Sequence, residues 1–217
     1  MSTVLEAQRP ALLQGAQALG LTLNDVQADQ LLAYGALILK WNKVYNLTAL
    51  RDPAAVLSHH LLDSLAAVPA LNRERPGATQ LLDVGAGAGL PGVVIAILRP
   101  DVQVHCLDAV AKKMAFVQQV ASELKLPNLR GVHARVESWA GQYDVISSRA
   151  FASLGDFFTG SRHLLAPGGA WLAMKGKVPE SELAGLPADL DVFHVEQLTV
   201  PGLDADRCIV WVRPSAT

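Results

Sequence analysis

The sequence predicts an α/β fold in which a mostly parallel sheet follows an N-terminal helical extension. An apolar strand that begins near Gln80 runs into a glycine-rich turn and then into a helix near Pro91. From Gln80 onward, strand and helix patterns alternate. Two C-terminal strand patterns are separated only by a Pro-Gly turn, so this last pair must be antiparallel.

Length and composition indicate a cytoplasmic globular protein. The 217 residues are 51% hydrophobic and 18% charged, enough to bury a core. No apolar run approaches the length of about 18 residues that a transmembrane helix needs, and the N-terminus lacks a secretory signal pattern. Cys106 and Cys208 lie in predicted strands without a partner motif, which favours buried thiols. His59 and His60 are helix neighbours about 100° apart, so no metal site is expected.

Residues 1–77 are predicted to form the helical extension packed on the core, and residues 78–217 the sheet domain. The pair Asn24-Asp25 is expected to cap a helix that ends near Lys40, and Asp52, followed by Pro53, to cap the next one. The stretch 72–79, which contains Arg, Pro and Gly, is the expected linker.

The order of elements in the sheet domain favours a particular architecture. After the first strand, strands are predicted at residues 102–108, 130–134, 143–148, 170–175, 192–200 and 207–212. The helices between them are expected at residues 91–98, 111–124 and 153–165. A dinucleotide fold would keep alternating, whereas a closing antiparallel hairpin is typical of the Rossmann-like class I methyltransferase sheet.

The glycine-rich turn predicts a nucleotide-cofactor site. Gly85, Gly87 and Gly89 permit positive φ and let a ligand approach bare main chain. Asp83 just before the turn is awkward for a pyrophosphate but suits S-adenosylmethionine, which carries an ammonium and a sulfonium. The alternative is that Asp83 only caps the turn through nearby N–H groups.

A second acid supports a nucleoside ligand. Asp108 ends the second strand, 23 residues after Gly85, close to the roughly 20 expected for an acid that accepts from ribose hydroxyls. It could instead cap the helix that follows. NAD also contains this ribose, and Gly87, Gly89 and Gly92 satisfy the pattern G-x-G-x-x-G, so an NAD-dependent oxidoreductase stays open.

Several short motifs, in matching order from Trp41 to Lys177, resemble the bacterial RsmG (GidB-type) family. These enzymes methylate N7 of a guanine in small-subunit (16S) ribosomal RNA. The matching segments are residues 41–48, 60–65, 90–92 with the glycine turn, 108–116, 135–137, 148–153 and 173–176. The resemblance implies that S-adenosylmethionine is contacted by Gly85, Leu90, Val136, Glu137 and Arg149.

The residues themselves agree in part with that implication. Val136 and Glu137 follow the third strand, where methyltransferase folds present an apolar contact and an acceptor to adenine. Arg149 and Lys175 end the fourth and fifth strands, at the rim where open α/β sheets place their chemistry. The alternatives are a solvated acid for Glu137, a surface ion pair for Arg149 and an ordinary strand-end cation for Lys175.

Guanine N7 has an in-plane lone pair and needs no general base. We therefore expect catalysis by alignment. The candidates for holding the base or its flanking phosphates are Arg149, Lys175, Asn42, Asn46 and Thr48.

The net charge does not favour a nucleic-acid partner, but its uneven distribution allows a basic face beside the cofactor site; the alternative is that these charges lie on solvated helix faces. The net charge is −2, yet residues 112–177 hold nine Lys/Arg against four Asp/Glu, and residues 178–217 hold two against seven. Trp41 and Tyr45 could stack on a base or pack in the core. The expected partner is 16S ribosomal RNA or the small ribosomal subunit, without a membrane. A small-molecule methyltransferase and a non-catalytic RNA-binding assembly factor remain alternatives.

Overall fold

The computed structural model describes residues 5–149 and 153–215, and it confirms the predicted α/β architecture. Within these residues one seven-stranded sheet has the order β3-β2-β1-β4-β5-β7-β6. The strands are β1 (Gln80–Val84), β2 (Gln103–Asp108), β3 (Leu129–His133), β4 (Tyr143–Arg149), β5 (Leu165–Lys175), β6 (Leu190–Leu198) and β7 (Arg207–Pro214). The first five strands pair in parallel, and β7 is antiparallel to both β5 and β6. The C-terminal hairpin therefore closes the sheet as expected.

Helices precede the sheet and alternate with its strands. They are α1 (Arg9–Ala18), α2 (Asp25–Tyr45), α3 (Pro53–Val56), α4 (Asp63–Leu65), α5 (Ala67–Glu74), α6 (Gly92–Leu98), α7 (Ala111–Glu123), α8 (Leu154–Ser161) and α9 (Glu180–Ala184). A π-helical segment, Leu57–Leu62, joins α3 to α4. Short 3₁₀ turns cover Glu6–Gln8, Val136–Ser138 and Arg162–Leu164.

Both predicted helix caps of the extension are confirmed. The Asn24 side chain accepts from the Gln27 N–H at 2.9 Å, and the Gln27 side chain accepts in return from the Asn24 N–H at 3.1 Å. Asp52 accepts from the Ala55 N–H at 2.9 Å. These short-range bonds satisfy N–H groups that lack a partner within the helix, so local sequence suffices to predict them.

The expected end of α2 near Lys40 was wrong, because the helix continues to Tyr45. Trp41 extends it by packing against Phe116 of α7, with ring centroids 5.3 Å apart. The core alternative for Trp41 is thus the one observed, while Tyr45 remains exposed. Asn46 ends the helix with a left-handed φ of 49°, which Asn tolerates better than most residues.

Other boundaries also differ from expectation. The linker predicted at 72–79 begins later, since α5 continues to Glu74. Pro91 caps α6 and is not its first residue. The helix predicted to reach residue 165 ends at Ser161, because Leu165 already pairs with Tyr143 and a register shift follows in β4. Strand pairing across the sheet overrides the local helix pattern here.

The core lies on both faces of the sheet. Alternate residues of β1 belong to different apolar clusters: Leu81 packs with the N-terminal helices, α6 and α7, and Leu82 packs with α8. The helical segment 53–74 is long and apolar enough to pass for a membrane span, since an 18-residue window in it has a mean hydropathy of 1.3, but 78% of that window is buried inside the protein. Its apolar side chains are thus used for core packing. The division at residues 77 and 78 stays a prediction.

Candidate cofactor and acceptor site

The turn between β1 and α6 presents bare main chain at the carboxyl edge of the sheet. Gly85 and Gly87 have backbone φ angles of 66° and 59°, which residues with a side chain rarely adopt. The N–H groups of Gly85 and Ala86 both donate to Leu107 O, at 2.8 and 3.1 Å. Gly85 is exposed, and a methyl group added at Gly87 would come no closer than 4.0 Å to any neighbouring atom. The main chain at Gly85 is therefore accessible, and the space beside Gly87 is open to a ligand.

Gly89 serves packing instead of ligand access. With φ of 90°, it is buried, and an added Cβ would lie 2.5 Å from the Val93 side chain and 3.2 Å from Val117. On the same side, the Tyr34 hydroxyl donates to Ala88 O at 2.7 Å. The extension helix α2, which carries Tyr34, thus fixes the back of the turn.

Asp83 does not face a ligand, which corrects the expectation of direct contact with a cationic cofactor. Its carboxylate is fully buried, accepting from the Gly92 N–H at 2.9 Å and the Ser147 hydroxyl at 3.0 Å. Burial raises the pKa of Asp83 to about 7, although both hydrogen bonds lower it. The observed role is the alternative one, in which Asp83 fastens the turn from behind.

Asp108 lies directly beside the glycine turn. Its Oδ2 accepts from the Gly87 N–H at 3.1 Å and lies 3.5 Å from Lys113 Nζ. Its Oδ1 accepts from the Val110 N–H at 2.9 Å, before α7. The Asp108 carboxylate thus bonds to the glycine turn and to the start of α7. It also lies where an acid could accept hydrogen bonds from ribose hydroxyls.

The remaining predicted cofactor residues follow the neighbouring strand ends. Val136 and Glu137 lie on the 3₁₀ turn after β3, with Val136 buried and Glu137 exposed near Arg135 at 3.8 Å. Leu90 is buried in the turn just before α6. Because β3, β2 and β1 are adjacent, these residues lie along the same edge as Gly85. Their contact with a cofactor stays a prediction.

We predict that Gly85→Val abolishes binding of S-adenosylhomocysteine, measured by calorimetry, in a folded protein. A branched side chain would occupy the space where a ligand approaches main chain, at a φ that it tolerates poorly. Gly20→Val is the control, since Gly20 has a φ of 76° with no atom within 4 Å of an added Cβ, far from the turn in sequence. Equal cofactor affinity in both variants would remove Gly85 from the site.

The second part of the site is a pocket of about 380 Å³ at the ends of β4 and β5. It is lined by Leu50, His59, His60, Asp63, Arg149, Met174, Lys175, Gly176 and Arg207. Because β4 pairs with β1, the pocket lies beside the glycine turn. The structure thus brings Arg149 and Lys175 together, as expected from their strand positions. Among the described residues, no group of three or more His, Cys, Asp or Glu could hold a metal ion.

A buried carboxylate that sequence reasoning missed organises this pocket. Asp63 accepts from Arg149 Nη1 at 2.9 Å and from Arg207 Nε at 2.8 Å. Arg149 Nη1 also donates to His59 O at 3.0 Å. The available signal was a lone acid in the apolar helical stretch 60–65, since such an acid is seldom buried without a partner.

Lys175 is only partly free to meet a substrate. Its Nζ lies 3.1 Å from Glu182 Oε1, and Glu182 also accepts from the Leu154 N–H at 2.6 Å. Burial raises the pKa of Glu182, yet these two donors hold it below its usual value. Lys175 therefore lies in the pocket as half of an ion pair.

The Asn and Thr candidates lie outside the pocket lining. Asn42 is buried; its amide N–H donates to Leu50 O at 2.7 Å and its carbonyl accepts from the Thr48 N–H at 2.9 Å. Asn42 and Thr48 thus hold the loop that brings Leu50 to the pocket. This structural role of Asn42 replaces the direct contact with a base that the sequence predicted. Asn46 is exposed and accepts from Arg51 at 2.8 Å, so its part in substrate binding stays a prediction.

Comparison with known proteins found a matching family model and several similar relatives. The family model described as "GidB: rRNA small subunit methyltransferase G" matches residues 27–210. A protein of Acidovorax sp. (strain JS42), named ribosomal RNA small subunit methyltransferase G, is 63% identical over 216 residues, covering 95% of each chain. The protein of that name from Leptothrix cholodnii is 59% identical over 212 residues, covering 97% of each.

Solved structures also resemble this chain in fold. TrmN from Thermus thermophilus has a TM-score of 0.57 at 18% identity, covering 73% of this chain and 53% of its own. The glycopeptide N-methyltransferase MtfA, in complex with S-adenosylmethionine, has a TM-score of 0.55 at 14% identity, covering 72% and 95%. At such identities the likeness concerns the fold, which is that of class I methyltransferases.

Proposed function

Because the chain belongs to the rRNA small subunit methyltransferase G (GidB) family, we propose that it transfers a methyl group from S-adenosylmethionine to N7 of a guanine in small-subunit (16S) ribosomal RNA. The observation that carries this proposal is the pairing of two adjacent features. An open glycine turn with a carboxylate beside it adjoins a pocket that holds two arginines. The first feature suits a nucleoside cofactor and the second an anionic polynucleotide acceptor.

The residues at the turn fit S-adenosylmethionine. Gly85 is exposed and Gly87 leaves main chain uncovered, and Asp108 would accept from the ribose. Val136 and Glu137 would meet the adenine by the family resemblance. When bound, the cofactor supplies a methyl group made electrophilic by the adjoining sulfonium.

Methyl transfer to guanine N7 requires positioning of the reactants and no proton transfer. Guanine N7 offers a lone pair in the ring plane, so no residue has to remove a proton first. Positioning alone is worth roughly 7–11 kcal/mol in favourable cases. Arg149 and Arg207 share the single carboxylate of Asp63, which leaves one net positive charge among the three. This charge favours the guanine O6 or a flanking phosphate.

The other functions considered are less well supported. An NAD-dependent oxidoreductase would need a pyrophosphate at the turn, and a small-molecule methyltransferase would need an apolar lid over its acceptor pocket. The family membership favours a ribosomal substrate, either the RNA or the small subunit, and hence a cytoplasmic site of action. A non-catalytic RNA-binding assembly factor would bind without turnover.

Two measurements test the proposed function. Calorimetry should show binding of S-adenosylhomocysteine and no measurable binding of NAD. Cleavage of small-subunit RNA with borohydride and aniline should detect one N7-methylguanine in cells with the gene and none in a deletion strain. An unchanged cleavage pattern on deletion would refute the assignment to N7, and binding of NAD alone would refute the methyltransferase.

We predict that Lys175→Ala lowers methyl transfer to small subunits at least tenfold, about 1.4 kcal/mol in the barrier. Affinity for S-adenosylhomocysteine should stay within a few-fold, because Lys175 lies on β5, away from the glycine turn. Lys177→Ala is the matched control: Lys177 is highly exposed and 4.0 Å from Asp206. Wild-type transfer by Lys175→Ala would mean that the lysine only pairs with Glu182.

A further inference from the structure

His60 is a buried polar group with an unused acceptor in the arginine-lined pocket. The side chain is 7% exposed and lines the pocket with Arg149. Its Nε2 is buried, and no group within residues 5–149 and 153–215 bonds to it. A buried polar atom without a partner destabilises the folded chain, so its retention calls for a reason beyond packing.

The hydrogen bonding of His60 defines which nitrogen can accept. Nδ1 lies 3.1 Å from His59 O, a group that can only accept, so Nδ1 carries the hydrogen. Burial and the positive charge of Arg149 lower the pKa of His60 to about 4, so the ring is neutral at physiological pH. Nε2 is therefore a lone-pair acceptor.

Arg149 supplies donors in the same pocket. Its bonds to Asp63 and to His59 O both use Nη1. Within the described part of the chain, Nε and Nη2 make no hydrogen bond, so their N–H groups remain for a ligand. The pocket wall thus pairs a fixed donor with a fixed acceptor.

We propose that His60 is a specificity-determining residue that accepts a hydrogen bond from N1–H of the target guanine, while Arg149 donates to the adjoining O6. This rests on the proposed function. The C6=O and N1–H groups of guanine are neighbours on the ring and match one donor and one acceptor. Adenine carries the reverse pattern, an amino donor beside an N1 acceptor. Its amino group would face the Arg149 donor and its N1 would face the His60 acceptor, which disfavours binding. Recognition through this edge leaves N7 unbonded for methylation.

Variants of His60 test the acceptor directly. Single-turnover transfer to small subunits from the deletion strain should fall at least thirtyfold for His60→Leu, which keeps the volume but not the acceptor. It should fall less than fivefold for His60→Gln, whose side-chain oxygen can accept. His163→Leu, at an exposed histidine on a remote 3₁₀ turn, is the control and should match wild type. Affinity for S-adenosylhomocysteine should be unchanged throughout.

A second measurement keeps the wild-type protein and changes the base. Small subunits are reconstituted with inosine or 2,6-diaminopurine at the mapped target guanine. Inosine keeps O6 and N1–H and should react within about threefold of guanine. 2,6-Diaminopurine keeps N7 and the 2-amino group but reverses the recognised edge, and should react at least thirtyfold more slowly.

The outcomes separate the two proposals. If wild type does not methylate the guanine-containing subunits, the proposed function is wrong. If it does, but 2,6-diaminopurine reacts as fast as guanine, or His60→Leu transfers as fast as wild type, then the role of His60 is overturned. Equal loss in His60→Gln and His60→Leu would also contradict it.

Discussion

Asp63→Asn is expected to lower the free energy of unfolding by about 3 kcal/mol and methyl transfer at least a hundredfold. Asp63 is buried and is the shared partner of Arg149 and Arg207. Its loss leaves two partly buried cations without their carboxylate, and breaking a buried pair from one side costs roughly 3–5 kcal/mol. Displacing the two guanidinium groups by about 1 Å is enough for a hundredfold loss of rate.

Chemical denaturation and single-turnover kinetics measure the two effects. Asp189→Asn serves as the control, because its pair with Arg162 is exposed on both sides, and it should cost less than about 1 kcal/mol. Adding Arg207→Gln to Asp63→Asn should recover part of the lost stability by removing one unpaired cation. Strictly additive losses would show that the pair is not coupled.

Asp83→Asn is expected to stabilise the protein increasingly as the pH rises. The pKa of Asp83 is raised by burial from 3.8 to about 7. Below pH 4 both folded and unfolded chains hold the proton; between 4 and 7 the unfolded chain releases it first, so wild-type stability falls. The amide oxygen introduced by this substitution would still accept from the Gly92 N–H, and the amide NH2 would donate to the Ser147 hydroxyl oxygen, which reverses that hydrogen bond. At pH 8 the gain could reach about 4 kcal/mol.

Denaturation of both proteins at pH 4, 6 and 8 provides the test, and Asp144→Asn provides a control of opposite sign. Burial raises the pKa of Asp144, but the N–H groups of Thr79 and Gln80 hold it below its usual value. Asp144 therefore adds stability above its unfolded pKa, and this is lost as the pH falls. An Asp83→Asn gain that is the same at pH 4 and pH 8 would contradict the raised pKa.

Local patterns were sufficient for much of the fold. The caps at Asn24 and Asp52 depend on residues three positions away, and the glycine turn depends on its own backbone. The position of Arg149 at the carboxyl end of β4 follows from the strand pattern alone. The end of α2 and the start of β5 were misjudged, because contacts with α7 and β4 decide them.

The sequence by itself determined the fold class, the glycine turn and the strand ends that carry the candidate site, since these depend on periodicity and short-range chemistry. Only the tertiary structure decided which polar groups are buried and what they meet. Asp83 was expected at the mouth of the turn but lies behind it, bonded to Ser147 of the next strand in the sheet. Asp63 meets Arg207 across 144 residues of chain. A local sequence pattern cannot predict such a pairing. Its free energy depends on desolvation of the charged groups and on their attraction, and both are set only when distant segments come together in the fold.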